Sequence, residues 1–235
     1  MQPVLFEDLG MMRYQKAWDY QELLLAEMVG IKSNQASRDL QDAPRHRLLF
    51  VEHPSVYTLG KSGKMENVLI SEDELASKGI GFFKINRGGD ITFHGVGQLV
   101  GYPILDLEQF YTDIGRYLRN IEEVVIRTMA NYGLDGKRSP GETGVWLDPS
   151  IPGKERKICA IGVRCSRWIT MHGFAFNVNT DLGYFEHIIP CGIRQKKVTS
   201  LQQELGTPLE LEEVKAVVKQ KFEEVFEVEL VTGNA

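Results

Sequence analysis

Three short extended segments follow one another closely between Phe82 and Leu105: Phe82 to Asn86, Ile91 to His94 and Leu99 to Leu105, each separated from the next by a glycine-bearing turn. Short strands at this spacing pair with neighbours, so this stretch commits the chain to a sheet, and its strands are expected to adjoin one another. Further strands are predicted at Arg47 to Glu52, at a short extended piece within His53 to Gly60, and at Gly144 to Leu147, Lys157 to Arg164 and Trp168 to Val178. Ser166 and Arg167 mark a hairpin between the last two.

The sheet needs cover. Between Asp113 and Tyr132, Ile114, Tyr117, Leu118, Ile121, Val124, Val125 and Met129 recur at intervals of three and four, which predicts an amphipathic helix over one sheet face. A helix is predicted from Tyr14 to Met28, ended by Gly30, followed by a polar loop over 32 to 45. Residues 61 to 79 read as loop and a short helix. Thr199 or Ser200 caps a short helix ending near Gly206, and Leu209 to Phe226 is a charged amphipathic helix. The expectation is one α/β (α+β) domain over 1–235, a mixed and largely antiparallel sheet flanked by helices, with a small C-terminal helical part at about 199–235.

Function classes narrow on charge and cysteine usage. Lys and Arg total 27 against 32 Asp and Glu, a formal charge of -5 that disfavours a phosphate-backbone partner, so no nucleic acid is expected. No stretch approaches the roughly 20 apolar residues that span a bilayer, and the first residues carry no basic start with an apolar run, so no membrane partner and a cytoplasmic location are expected. Cys159, Cys165 and Cys191 cannot all pair with one another and form no C-x-x-C, and the histidine spacing matches no zinc pattern, so no metal is expected. His46 reads as a solvated loop residue and His172 as a satisfied strand histidine.

The most unusual segment is Arg87-Gly-Gly-Asp-Ile-Thr-Phe-His-Gly-Val-Gly-Gln. It is neither a Walker loop nor a dinucleotide fingerprint, and its glycines permit close backbone approach to a ligand or simply tight turns. Cys191 sits on an irregular run, Ile188-Ile-Pro-Cys-Gly-Ile, where a nucleophile is often presented and where a small buried hydrophobe would also fit. Lys157 leads an apolar strand; such a lysine is either a snorkelling edge charge or, when desolvated, a base that partners a thiolate. Strand alternation puts Cys159 on the face of Lys157, making it a rival nucleophile.

Taken together, RGGDITFHGVGQLVGYPILDL at 87–107, GVW at 144–146, KICAIGV at 157–163, GFAFNVNTDL at 173–182 and IPCGI at 189–193 resemble the lipoyl(octanoyl) transferase family. The resemblance covers roughly residues 45 to 205, with the blocks in order. It implies the fold of biotin- and lipoate-protein ligases, and transfer of an octanoyl group from octanoyl-acyl carrier protein to a lysine of a lipoyl domain. The implied acceptors are the lipoyl domains of 2-oxoacid dehydrogenase complexes and the glycine cleavage H protein. It implies Cys191 and Lys157 as the catalytic pair and no cofactor. The implied acyl-binding positions are Arg87, Gly88, Gly89, Asp90, Ile91, Thr92, Phe93 and His94, then Ala160, Ile161 and Gly162, then Gly173, Phe174 and Ala175.

Val96 stands where the family usually has proline, and Cys159 where it has a smaller or less reactive residue. Gly88, Gly89, Gly162 and Ala175 are expected to open an acyl slot, the oxyanion donors to lie near Gly192 or in a turn at Ala160 to Gly162, and Arg87, Arg164 or Arg194 to meet an acidic carrier. The rival readings are an ATP-dependent lipoate-protein ligase, an amidotransferase between lipoyl-type proteins, and a non-catalytic lipoyl-domain binding module.

Overall fold

The computed structural model describes residues 1–33, 46–189 and 197–232. Its strands in chain order are β1 (Gln2–Met11), β2 (Arg47–Glu52), β3 (Val56–Leu59), β4 (Gly81–Lys84), β5 (Ile91–His94) and β6 (Gln98–Ile104), then β7 (Lys137–Ser139), β8 (Glu142–Leu147), β9 (Arg156–Ser166), β10 (Ile169–Asn177), β11 (Lys197–Val198) and β12 (Val228–Thr232). The α-helices are α1 (Tyr14–Ser33), α2 (Glu72–Ser77), α3 (Ile114–Ala130), α4 (Leu201–Leu205) and α5 (Leu211–Phe226).

The expected mixed sheet is present. Its order is β12-β1-β2-β6-β10-β9-β8-β7, with β11 added on β9. The pairs β12–β1, β1–β2 and β11–β9 are parallel and the others antiparallel. The segments that open the sequence argument do not all adjoin, however. β4 and β5 flank β3 in a separate three-stranded sheet, while β6 enters the large one. The turn Gly95–Gly97 lets the chain change sheets: Gly97 takes φ +77° and packs against the Asn179 carbonyl, where a Cβ would lie 2.7 Å from the oxygen.

Both faces of the large sheet are covered. On one, Tyr117, Ile121, Val124, Val125 and Met129 of α3 and Val214, Val218 and Phe222 of α5 pack on Leu48, Phe50, Leu99, Phe174 and Phe176. Ala17, Leu24, Leu25 and Met28 of α1 cover Leu49, Val51, Val100, Tyr102 and Ala175 on the other. The periodicity of α3 is capped by Asp113, whose side chain accepts from the Arg116 amide. Helix α1 runs past Gly30 to Ser33, because one glycine costs only about 1 kcal/mol against a helix whose apolar side is already docked.

The C-terminal part is not solely helical. β12 pairs with β1 at the sheet edge, and α5 packs against α3. Between β9 and β10 the two turn residues are Arg167 and Trp168, at φ +50° and +64°, one position later than the sequence suggests. No described helix is long and apolar enough to cross a membrane.

Candidate functional site

Strand β9 carries an irregularity that decides which side chains meet. Val145 of β8 faces Cys159, but Trp146 faces Lys157, so two residues of β9 oppose one step of β8. Alternation is lost at this bulge. Ile158 and Cys159 both turn into the core beneath α3, and Lys157 lines a cavity together with Ala160, Ile161, Gly162 and Val163. Cys159 therefore does not share the face of Lys157. It is fully buried, and burial pushes its thiol well above the ordinary range, with Lys157 countering only in part. A thiol held protonated in the core is a poor nucleophile.

The Lys157 ammonium lies 3.3 Å from the Thr143 carbonyl and 4.6 Å from the centre of the Trp146 ring. Gly144 lies beside its stem at φ +123°, and its amide donates to the fully buried carboxylate of Glu122 at 2.9 Å. Arg119 and Arg138 close on the other oxygen of Glu122 at 2.7 and 3.1 Å.

The cavity has a volume of about 630 Å³. It is lined by Lys157, by Glu142, Thr143 and exposed Gly141, and by residues of β9, β10 and the Arg87–His94 segment, in which Gly89 is also exposed. Every described position implied by the resemblance lines it except Phe93. That ring is buried against Tyr57, stacks on Tyr184 at 4.6 Å and meets Phe185 edge-on, so it supports the segment from behind. The Arg87-Gly-Gly turn is docked on β9 by the Gly88 amide, which donates to the Val163 carbonyl at 2.9 Å. Docking requires Gly162, since a Cβ there would stand 2.8 Å from the Gly88 oxygen. Ala160 to Gly162 is strand interior, not a turn.

Arg87 is not a surface cation. It is buried, with Nη2 donating to the Thr58 carbonyl at 2.6 Å and hydroxyl at 3.0 Å, and Nη1 to the Gly88 carbonyl at 2.9 Å. Arg164 is largely covered and paired with Glu22 at 2.8 Å. Asp90 accepts from Asn67 and from the Ile91 amide, which holds the turn's carboxylate toward the 60–67 loop.

Buried polar groups reach from this turn across the cavity floor. Gln98 donates to Asn177 and to the Phe93 carbonyl, which leaves its oxygen to accept the Nδ1 proton of His94 at 2.9 Å. His94 Nε2 then accepts from the Thr58 hydroxyl at 3.2 Å. Asn177 continues to the Thr199 carbonyl, and the Thr199 amide returns to the Lys157 carbonyl at 2.9 Å. Tyr14, Tyr102, Gln98, Asn177 and His172 all line the cavity, and the sequence reading placed none of them among the acyl-binding positions. Tyr14 opens α1 and stacks on His94 from about 80 residues away, a contact that only the tertiary fold creates.

Two histidines differ from expectation. His46 is buried beneath Phe110, accepting from the Asp106 amide and bonding Gln2 and Gln109. His172 is not a satisfied strand residue. It takes φ +57°, its Nε2 meets Asn86, and among the described residues its buried Nδ1 has no hydrogen-bond partner. No group of three His, Cys, Asp or Glu among the described residues is placed to hold a metal ion.

Cys191, with the rest of Pro190 to Lys196 and so Gly192 and Arg194, lies outside the described residues. The chain on either side is fixed beside the cavity. Ile189 donates to the Asn67 carbonyl, and β11 pairs Val198 with Lys157.

Burial depresses His53, His94 and His172. His53, which donates from Nδ1 to the Met12 carbonyl, is lowered to about 4 and His172 to about 3, while His94 lies well below its ordinary value through burial, His53 and Arg87. Unfolded, each ring takes up a proton near pH 6.5. The unfolded chain thus binds more protons in this range, so stability is complete above about pH 6.5 and declines as pH falls toward 4, by up to about 1.4 kcal/mol per pH unit per ring. The urea midpoint should fall between pH 6.5 and 5, above the range where Glu123 and Glu204, both held below the ordinary carboxylate value, take up protons. A His53→Asn variant should show a shallower decline.

Residues 13–223 match the family model described as the lipoyl protein ligase A/B catalytic domain. The chain is 59% identical to the octanoyltransferase of Christiangramia forsetii, over 95% of this chain and 95% of that protein. It is 56% identical to the octanoyltransferase of Flavobacterium johnsoniae, over 97% and 98%. Among solved structures, it is similar to a bipartite lipoate protein ligase from Thermoplasma acidophilum with TM-score 0.71 and 18% identity, covering all of this chain and 88% of that one. An ATP-bound lipoate-protein ligase A gives TM-score 0.67 at 18% identity, again over all of this chain and 88% of the other. These two likenesses concern the fold.

Proposed function

This chain belongs to the octanoyltransferase family within the lipoyl protein ligase A/B catalytic domains and is an acyltransferase, and from that premise we propose that it moves an octanoyl group from octanoyl-acyl carrier protein through Cys191 to a lysine of a lipoyl domain. The observation that carries this reading is a single one: Lys157 lines a cavity of about 630 Å³, largely apolar, that Gly88, Ala160, Gly162, Gly173 and Ala175 also line, so that small residues leave room for an alkyl chain beside the lysine. The proposed acceptors are the lipoyl domains of 2-oxoacid dehydrogenase complexes and the glycine cleavage H protein, and the proposed setting is the cytoplasm.

In the proposed route the Cys191 thiolate attacks the carrier thioester carbonyl. The bond to the carrier sulfur breaks, and an octanoyl thioester on Cys191 forms. Lys157 takes the Cys191 proton and returns it to the departing carrier thiolate. The acceptor lysine, as free amine, then attacks the Cys191 thioester, an amide forms, and the thiolate is restored after Lys157 removes the amine's excess proton. The activated donor supplies the driving force, so ATP has no part. The burial of Cys159 supports Cys191 as the nucleophile.

Intact-protein mass spectrometry after mixing with octanoyl-acyl carrier protein, without ATP, tests this. A hydroxylamine-labile octanoyl adduct mapping to Cys191, discharged by a lipoyl domain, is the expected result. An adduct on Cys159 overturns the nucleophile. Acylation that requires ATP and free octanoate overturns the transfer in favour of a ligase, and discharge of an acylated lipoyl protein but not of the carrier makes it an amidotransferase.

A further inference from the structure

One buried side chain behind the cavity holds two of the residues that line it. Thr58 sits in β3, the middle strand of the three-stranded sheet, with Phe83 of β4 opposite it on one side and Thr92 of β5 on the other. It is fully buried and is not itself part of the cavity lining. Just past the end of its strand, Gly60, Lys61 and Ser62 donate backbone bonds to the carbonyls of Asp90, Arg87 and Gly89. The backbone of the glycine-rich turn is therefore already tied to this strand, and the Thr58 side chain adds a second tie.

The protons around that side chain can be placed from the far end of the network. Asn177 donates to the Thr199 carbonyl and Gln98 to the Phe93 carbonyl, and a backbone carbonyl only accepts, so both amide orientations are fixed. Gln98 Oε1 then faces His94 Nδ1 at 2.9 Å, and that nitrogen carries the proton. His94 Nε2 is left as an acceptor 3.2 Å from the Thr58 hydroxyl, while Arg87 Nη2, which can only donate, lies 3.0 Å from the same oxygen. The hydroxyl gives its one proton to His94 and a lone pair to Arg87. Burial, with His53 and Arg87 nearby, favours the neutral ring that this arrangement requires. Arg87 and His94 both line the cavity and stand at opposite ends of the Arg87–His94 segment.

Resting on the transfer reading above, we propose that Thr58 is a positioning residue for the acyl group: its hydroxyl staples together the two ends of the Arg87–His94 segment and so sets the shape of the cavity wall that this segment forms. It acts through Arg87 and His94. Removing the hydroxyl leaves the buried Nε2 of His94 without the donor it has here and takes one acceptor from Arg87, and the segment shifts to recover them. The loss falls on acyl binding, because Lys157 and its surroundings on β8 and β9 are untouched.

Thr58→Val and Thr58→Ser separate the hydroxyl from the bulk of the side chain. In Thr58→Val, KM for octanoyl-acyl carrier protein should rise about tenfold while kcat per folded molecule stays within about twofold, the pattern of lost binding rather than lost chemistry. Thr58→Ser keeps the hydroxyl, and its KM should stay within about twofold of the unaltered protein. Isothermal titration with octanoate reads the same contact without turnover, and the dissociation constants should follow the same order. Nitrogen NMR of the histidine-labelled unaltered protein near neutral pH, with the His94 signals assigned by their loss in His94→Gln, should show the Nδ1–H tautomer, a readout that does not depend on how either Thr58 variant folds. An Nε2–H tautomer, an unchanged KM in Thr58→Val, or a KM in Thr58→Ser as poor as in Thr58→Val each overturns the proposal. So does a loss confined to kcat in step with the folded fraction, the mark of a purely structural residue. Octanoate affinities in the expected order with no transfer from the carrier would overturn the transfer reading alone, and a protein that neither transfers octanoyl nor binds octanoate overturns both.

Discussion

Lys157→Met lowers kcat/KM for octanoyl transfer by roughly 10²- to 10⁴-fold, the range that a positioned proton-transfer group contributes. Methionine keeps the stem that lies against Gly144 and removes only the ammonium. Among the contacts the fold loses are the 3.3 Å approach to the Thr143 carbonyl and the ammonium over Trp146, which at a partly exposed site are together worth about 1 kcal/mol. The melting transition should therefore move little while activity collapses. Lys157→Arg separates two roles. Arginine keeps the charge but does not give up its proton, so it restores a function that is purely electrostatic and fails where a proton must be relayed. Steady-state transfer from octanoyl-acyl carrier protein to a lipoyl domain is the measurement, with the arginine variant expected to be as impaired as the methionine one. A loss of less than tenfold in Lys157→Met would remove this residue from the chemistry.

How far the site was legible depends on whether local or distant residues make it. The period of α3 and the succession of short extended segments broken by turns are local, and the α/β class with its mixed, largely antiparallel sheet follows from them. β1 was not legible: of its ten residues only Val4 is buried, and Glu7 and Asp8 earn their places through Arg47 and Lys215, partners 40 and 207 positions away. β12 was missed for the same reason, since its pairing is with β1. The resemblance named positions that, where described, line one cavity with the exception of Phe93, whereas strand alternation put Cys159 on the face of Lys157 because it assumes an unbroken ladder. The bulge opposite Val145 breaks it, and glycine at 144, able to hold φ +123°, was the available signal. The orphaned Nδ1 of His172 was invisible, because residue type does not reveal that Asn86 takes one ring nitrogen and nothing described takes the other.

Glu122→Leu is expected to destabilise the fold by about 3 kcal/mol, through a buried donor left without its acceptor and two cations that lose one, Arg138 keeping Glu123 at 2.7 Å. Glu122 breaks the apolar face of α3, standing fully buried between Ile121 and Val124, which is expensive for a carboxylate unless each lone pair is used. Here one oxygen receives the Gly144 amide at 2.9 Å and the other receives Arg119 and Arg138. Arg119 and Arg138 are 43% and 37% exposed, so water recovers much of their loss, and the larger part of the cost falls on the stranded Gly144 amide. That amide follows Thr143, whose carbonyl meets the Lys157 ammonium, so freeing it loosens one wall of the lysine's position. Glu122→Gln keeps an oxygen for the amide and gives up the charge. It should cost about 1 kcal/mol and retain most of the transfer rate, while Glu122→Leu should lose rate beyond its loss of folded protein. Urea unfolding beside single-turnover discharge of the acyl-enzyme reads both quantities. Equal stability of the two variants would show that the charge on Glu122, not its grip on Gly144, is what α3 supplies.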